Sequence, residues 1–187
     1  MLKKNALSTP GIGVALFRGI NVGSAKRLEM ASLRALMEGL GFNEVRTLLN
    51  SGNVVFAHAG ASPRDAARKI ETALVEKLGV AARVMVLTKD ELFTVISECP
   101  LLEVADNPSR LLVGVLADPE RRSQILPLCR QGWGNERVAV GKLAVYMWCP
   151  EGVIKSKLSE AVNRILGDSV TSRNWATMLK LKQVMGD

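Results

Sequence analysis

An arginine between an apolar strand and a glycine-rich loop is the most chemically suggestive feature of this 187-residue chain. The run Val14–Phe17 is apolar, and Arg18, Gly19, Asn21 and Gly23 follow it without an ordinary polar turn. Glycine lets a backbone come close to another group, and arginine offers a planar, charged fork. The spacing therefore predicts a binding site for an anion at a strand end. A shaped turn whose arginine ties two elements together is the alternative.

A second polar group lies near the C-terminus, where Thr171 or Ser172 is predicted to begin the last helix. Arg173 would then stand in the first helical turn, where its charge opposes the helix dipole. An anion held by the helix N-terminus and Arg173 would relieve that conflict, as would a salt bridge to an acidic side chain. Asn174 is predicted to orient such a ligand, with Thr177 in support.

The segment Ser51-Gly52-Asn53 is predicted to turn a β-hairpin, and turn chemistry alone explains its residue types. Asn53 is nevertheless a candidate for orienting a ligand, with Ser51 in support. A catalytic Ser51 would need a base within hydrogen-bond reach, and its neighbours in the sequence offer none. Lys157 could add charge to the anion site, although a solvated helix start explains it equally well.

Other reaction chemistries find little support in the residue types. Cys99, Cys129 and Cys149 are far apart, which predicts free thiols. His58 is the only histidine, which excludes multi-histidine metal sites. We expect neither a metal nor a cofactor. The sequence names no catalytic residue and leaves open whether the protein is an enzyme.

The charge balance favours acidic partners. The formal net charge is +7, which suits nucleic acid, nucleotides or anionic metabolites. Aromatic residues make up only 4% of the chain, which argues against an extensive base-stacking surface. The apolar runs are shorter than a membrane helix of about 20 residues, so we expect a cytoplasmic protein without a membrane partner. The oligomeric state is left open.

The elements that must position these residues follow from hydrophobic periodicity. Each half of the chain shows the order β-α-β-β-α-β, which is the ferredoxin-like order. We predict an α+β fold of two such halves with antiparallel sheets and a C-terminal helix. Residues 1–102 would form the first half with a linking helix, and residues 103–187 the second half. Strands are predicted at 13–17, 45–49, 54–57, 83–87, 110–117, 137–140, 143–148 and 169–171.

Three segments together resemble a known family: Leu16–Gly23, Val45–Phe56 and Thr171–Thr177. They are similar to the bacterial family catalogued as domain of unknown function 1697, and the likeness covers nearly the whole chain in the right order. The resemblance implies an α+β fold of two ferredoxin-like halves. It implies no established activity, substrate, cofactor or catalytic residue.

The leading interpretation is a protein that binds an anionic, phosphate- or nucleotide-like small molecule in a polar cleft between the halves. Arg18 and Arg173 would pair its charge, while Asn21, Asn53 and Asn174 would orient it. One alternative is an RNA-binding module, because Phe17 and Phe56 fall near the stacking positions of such folds. The other is a scaffold whose polar motifs only lock the fold.

Overall fold

A computed structural model describes residues 11–21 and 28–186 of the chain. Its strands are β1 (Gly11–Phe17), β2 (Asn43–Leu48), β3 (Asn53–His58), β4 (Val84–Thr88), β5 (Leu111–Leu116), β6 (Arg137–Val140), β7 (Ala144–Trp148) and β8 (Val170–Asn174). Its α-helices are α1 (Met30–Gly39), α2 (Pro63–Leu78), α3 (Lys89–Ser97), α4 (Leu126–Cys129), α5 (Lys157–Leu166) and α6 (Trp175–Met185). Within the described residues, no helix is long and apolar enough to cross a membrane.

The strands form two four-stranded sheets in which every neighbouring pair is antiparallel. The orders are β2-β3-β1-β4 and β6-β7-β5-β8. The same strand order therefore occurs twice. In each sheet the strand that comes first in the chain, β1 or β5, lies in the interior of the sheet. The predicted α+β class with antiparallel sheets is confirmed.

The chain divides into two compact units, the first ending at Lys89 and the second beginning at Asp90. The sequence predicts a boundary at 102/103, with α3 attached to the first half. In the structure, α3 is held by the second unit. The hydroxyl of Tyr146 donates to the Val95 carbonyl at 2.7 Å, and the Glu98 carboxylate accepts from the Lys142 N–H at 3.1 Å.

The first unit places both of its helices on one face of the sheet. Ser62 caps α2 by accepting from the Asp65 N–H at 3.1 Å, and Gly79 ends it in the left-handed conformation, at φ 63°. Serine and glycine are residue types typical of these two positions. Buried side chains from the helices and from one face of β1 and β3 form a single core that includes Leu33, Met37, Ile70, Leu74, Ala15, Phe17 and Phe56.

The C-terminal end of the second unit differs from the secondary structure predicted from the sequence. The strand predicted at 169–171 continues to Asn174, and the helix begins at Trp175 instead of after Thr171 or Ser172. The cause is pairing along the whole of β5, from Leu116 opposite Val170 to Leu112 opposite Asn174. Tertiary pairing here overrides the local helix-start signal.

The segment Pro119–Cys129 is helical, as Asp118-Pro119 at its start favours, but it is not a single α-helix. Residues Pro119–Ile125 form a 3₁₀-helix, and only the last four residues are α-helical. Pro127 explains part of the change, because it has no N–H to donate within an α-helix. The 3₁₀-helix nevertheless buries Ile125 completely in the core of the second unit.

Candidate functional site

Two arginines meet where β1 ends and β4 begins. Phe17 lies opposite Val84 in the antiparallel ladder, and in the next pair the Arg18 N–H donates to the Arg83 carbonyl at 2.8 Å. Opposite residues of antiparallel strands carry Cβ atoms roughly 4.5–5.5 Å apart. Arg83 is absent from the sequence-predicted site, because strand register cannot be seen in the sequence.

Glu71 of α2 is an acidic neighbour of this arginine pair. One carboxylate oxygen lies 3.2 Å from Nη1 of Arg83, and the other accepts from the Val84 N–H at 2.8 Å. The side chains of Arg83 and Glu71 are 60% and 24% exposed. Glu71 therefore fixes α2 to β4, and together Arg18, Arg83 and Glu71 carry one net positive charge.

Asn21 anchors the loop that follows Arg18. Its side-chain nitrogen donates to the carbonyls of Leu28 at 2.9 Å and Asn50 at 2.8 Å. Its side-chain oxygen accepts from the Leu28 N–H at 2.7 Å. Both amide donors are thus used on backbone, and the φ of 58° is one that asparagine tolerates better than most residues. These contacts make Asn21 a positioning residue.

The hairpin after β2 packs tightly against this loop. The Phe17 N–H donates to the Gly52 carbonyl at 2.8 Å. A Cβ on Gly52 would lie 2.5 Å from Ile20 Cδ1 and 2.7 Å from Phe17 Cβ, and the φ of 73° also favours glycine. Asn53 is fully buried and donates to the Ser51 hydroxyl at 3.0 Å. Both polar side chains therefore shape the turn.

Between these anchors the loop is accessible. Arg18 is half-buried and Gly19 is exposed. Gly19 has a φ of 69°, and among the described residues no atom lies within 4 Å of a Cβ built on it. Gly23, a supporting residue of the predicted site, lies outside the described residues. The accessible part of the predicted site in the first unit thus centres on Arg18 and Gly19.

Arg173 belongs to the second unit and lies on β8, opposite Val113 of β5. It is only 9% exposed, and its Nη1 donates to Thr171 Oγ1 at 3.1 Å and to the Ser172 carbonyl at 2.9 Å. Burial lowers the pKa of Arg173 to about 10. Arg173 therefore lies in a strand and not, as predicted, in the first turn of α6.

The remaining predicted residues of the second unit serve helix starts. The Asn174 side-chain oxygen accepts from the Thr177 N–H at 2.9 Å and from its hydroxyl at 2.7 Å, so Asn174 is the N-cap of α6. Lys157 is exposed at the start of α5, after the N-cap Ser156. The structure therefore gives Asn174 and Thr177 a capping role.

The thiols lie in different environments. Cys99 and Cys149 are buried and Cys129 is exposed, and all three are free. Desolvation raises the pKa of each thiol, which disfavours the reactive thiolate at neutral pH. Across residues 11–21 and 28–186, no group of three or more His, Cys, Asp or Glu residues could hold a metal ion.

The aromatic residues on which the RNA alternative depends are internal. Phe17 is 1% exposed and Phe56 is fully buried. Phe42 packs against Phe56 with ring centroids 4.6 Å apart. These rings belong to the core of the first unit and cannot stack on bases without unfolding it.

Comparison with known proteins identifies a family and a similar solved structure. A family whose description reads "Protein of unknown function (DUF1697)" matches residues 12–146. A conserved bacterial protein from Streptococcus pneumoniae has a similar solved structure, with a TM-score of 0.78 and 22% identity. The alignment covers 95% of this chain and 99% of that chain, so the two share a fold. The comparison with curated proteins gave no match.

Proposed function

The chain belongs to the family described as protein of unknown function (DUF1697), a description that assigns no activity, and we propose that its first unit binds an anionic small molecule. The ligand carries a phosphate or carboxylate that Arg18 and Arg83 contact together. One observation carries this function: two like-charged residues are neighbours at the junction of β1 and β4, where the Arg18 N–H donates to the Arg83 carbonyl.

Like charges directly opposite in an antiparallel pair destabilise a sheet. An anion between the two guanidinium groups replaces that repulsion with charge-assisted, often bidentate, hydrogen bonds. A local arrangement that costs stability is typical of a functional site. Glu71 neutralises part of the positive charge and holds the Arg83 side chain toward α2. The two arginines and Glu71 together keep one net positive charge, which suits a ligand of small negative charge.

The surrounding residues prepare the site before the ligand arrives. Asn21 and the Phe17–Gly52 hydrogen bond fix the loop on both sides of Arg18. Ser51 and Asn53 shape the hairpin on which this loop rests. A site held by its supporting contacts loses less conformational entropy on binding. In this proposal the asparagines position the arginine and do not touch the ligand.

We assign Arg173, Asn174, Thr177 and Lys157 to the folding of the second unit. The shared strand order supports a ferredoxin-like reading of both units. A scaffold function is the second candidate, and it is favoured by the three backbone hydrogen bonds of Asn21. The two candidates differ in what removal of Arg18 does to stability.

The test is calorimetric titration of the whole protein with inorganic pyrophosphate. Arg18→Gln and Arg83→Gln should each weaken binding about tenfold or more, because each removes a charge-assisted contact. Arg164→Gln is the matched control, since Arg164 is exposed on α5 of the second unit and this variant should bind normally.

Thermal unfolding of the same variants separates the candidates. If Arg18 serves binding, Arg18→Gln loses binding while its thermal midpoint stays close to that of the wild type. Loss of stability without loss of binding would establish the scaffold function instead. Equal binding by all variants would overturn the proposed site.

A further inference from the structure

The two units carry very different net charge. Of the 25 Lys and Arg residues, 13 lie at positions 1–89, together with 6 of the 18 Asp and Glu residues. The second unit has 12 residues of each sign. The first unit therefore carries the whole net charge of +7, and the second unit is neutral.

From this asymmetry we infer that the first unit binds the phosphate backbone of a nucleic acid, with Arg18 and Arg83 as two of its phosphate contacts. The inference rests on the proposed function, because the same arginine pair that binds the phosphate of a small molecule would also bind phosphates of a nucleic acid. Repeated phosphates attract a basic unit over a distance, and lysine and arginine release condensed counterions when they bind.

The basic residues that would take part are accessible and mostly arginine. Exposed arginines of the first unit, besides Arg83, lie on α1, β2 and α2: Arg34, Arg46, Arg64 and Arg68. The planar guanidinium matches phosphate geometry better than the lysine ammonium does. Nine basic and six acidic residues of this unit fall within the described ranges, so positive charge also prevails there.

Aromatic stacking is not available to this unit. Its three aromatic residues, Phe17, Phe42 and Phe56, are 1%, 6% and 0% exposed. Sequence-tolerant binding of single strands usually depends on such rings. Binding through phosphates alone should therefore show no base preference, and a duplex should bind at least as tightly as a single strand because its charge density is higher.

A membrane surface is the other polyanion to consider. Peripheral binding to a membrane usually combines positive charge with apolar side chains on one face. Among the described residues of the first unit, the exposed large hydrophobic residues are Ile12 on β1, Leu49 after β2 and Val75 on α2. Exposed arginines outnumber these apolar side chains in the described part of the unit, which favours nucleic acid.

The experiment is fluorescence anisotropy of the whole protein with a labelled 20-base-pair DNA duplex and with single strands of dA and dT. Titrations at several salt concentrations give the slope of log Kd against log salt. The double variant Arg18→Gln/Arg83→Gln should reduce the steepness of that slope by about 1.8, since each phosphate contact contributes about 0.9. The control Arg130→Gln/Arg164→Gln removes the same charge from exposed positions of the second unit and should leave the slope unchanged.

Several results would overturn the inference. Pyrophosphate binding without duplex binding would leave the proposed function intact and remove the nucleic acid. A strong preference for dT over dA strands would show base recognition. Equal losses in both double variants would show that overall charge, and not the arginine pair, governs binding. Tighter binding to phosphatidylserine vesicles than to duplex would point to a membrane.

Discussion

The hydroxyl of Tyr146 on β7 donates a 2.7 Å hydrogen bond to the main-chain carbonyl of Val95 in the last turn of α3. The last four carbonyls of a helix lack partners within it, so this tyrosine satisfies one that would otherwise be buried and unpaired. Burial raises the pKa of the Tyr146 hydroxyl, which keeps it a donor at physiological pH. A side chain of the sheet thus completes the end of a helix.

Replacing Tyr146 with phenylalanine should lower the free energy of unfolding by about 1–3 kcal/mol, because the Val95 carbonyl would stay buried without its donor. Urea unfolding followed by circular dichroism measures the change. Ser97→Ala is the control, since it removes a hydroxyl whose 3.2 Å bond to the Thr94 carbonyl is exposed. An unchanged midpoint for Tyr146→Phe would mean that water replaces the hydroxyl.

Asn21 should be important for stability through both its hydrogen bonds and its backbone conformation. Asn21→Ala loses three side-chain hydrogen bonds and places alanine at a φ of 58°, so we expect a loss of about 2–3 kcal/mol. Asn21→Gly loses the same bonds but adopts that φ freely, and it should be roughly 1 kcal/mol more stable than the alanine variant. Equal stability of the two variants in thermal unfolding would show that the backbone conformation costs nothing.

Gly52→Ala should destabilise the first unit strongly. The new methyl group would meet Ile20 and Phe17 at under 3 Å, at a φ of 73°; the φ alone costs roughly 1–2 kcal/mol. Gly132→Ala is the matched control, since among the described residues no atom lies within 4 Å of its Cβ position. Chemical denaturation of both variants should separate them clearly, and similar midpoints would contradict the close approach.

The Glu98 carboxylate should make stability depend on pH. Hydrogen bonding from Lys142 lowers the pKa of Glu98 below its ordinary 4.5, and the Lys142 ammonium lies 2.9 Å away. A depressed carboxyl pKa contributes stability that is fully present above pH 4.5 and is lost as the pH falls through the folded-state value.

Glu98→Gln should therefore be less stable than the wild type at pH 7, and the difference should shrink below pH 4.5. Thermal midpoints measured from pH 7 to pH 3 would show this convergence. Glu103→Gln, at an exposed position, should track the wild type throughout. A difference for Glu98→Gln that stays constant with pH would contradict the Lys142 contact.

Local signals in the sequence were good guides to local structure. Ser62 caps α2, Gly79 ends it, and α1 buries an apolar stripe. Residue type and spacing indicate all three, because capping and amphipathic periodicity involve residues within a few positions of each other. The same holds for the hairpin turn before Asn53. The residue types of Ser51, Gly52 and Asn53, which are adjacent in the chain, are sufficient to predict that turn.

Strand ends and strand pairing depend on residues far away in the chain, so local sequence patterns do not predict them. The end of β8 and the start of α6 are set by pairing with β5, some 60 residues earlier in the chain. Arg83 joins Arg18 only through the register of β1 and β4, and periodicity does not reveal register. Periodicity alone predicts a helical position for Arg173 for the same reason, and its place in β8 changes the interpretation of its charge.

The interior position of β1 has a consequence for synthesis on the ribosome. β1 is made first, yet its pairing with β4 joins Gly13 to Thr88. At about 5–20 residues per second, β1 waits roughly 4–15 s for that neighbour, with an apolar strand only partly paired. The second unit repeats the delay, because β5 must wait for β8. A nascent chain therefore exposes an unpaired edge of β1 until β4 is made, and later an unpaired edge of β5 until β8 is made. Each sheet is complete only when its last strand leaves the ribosome.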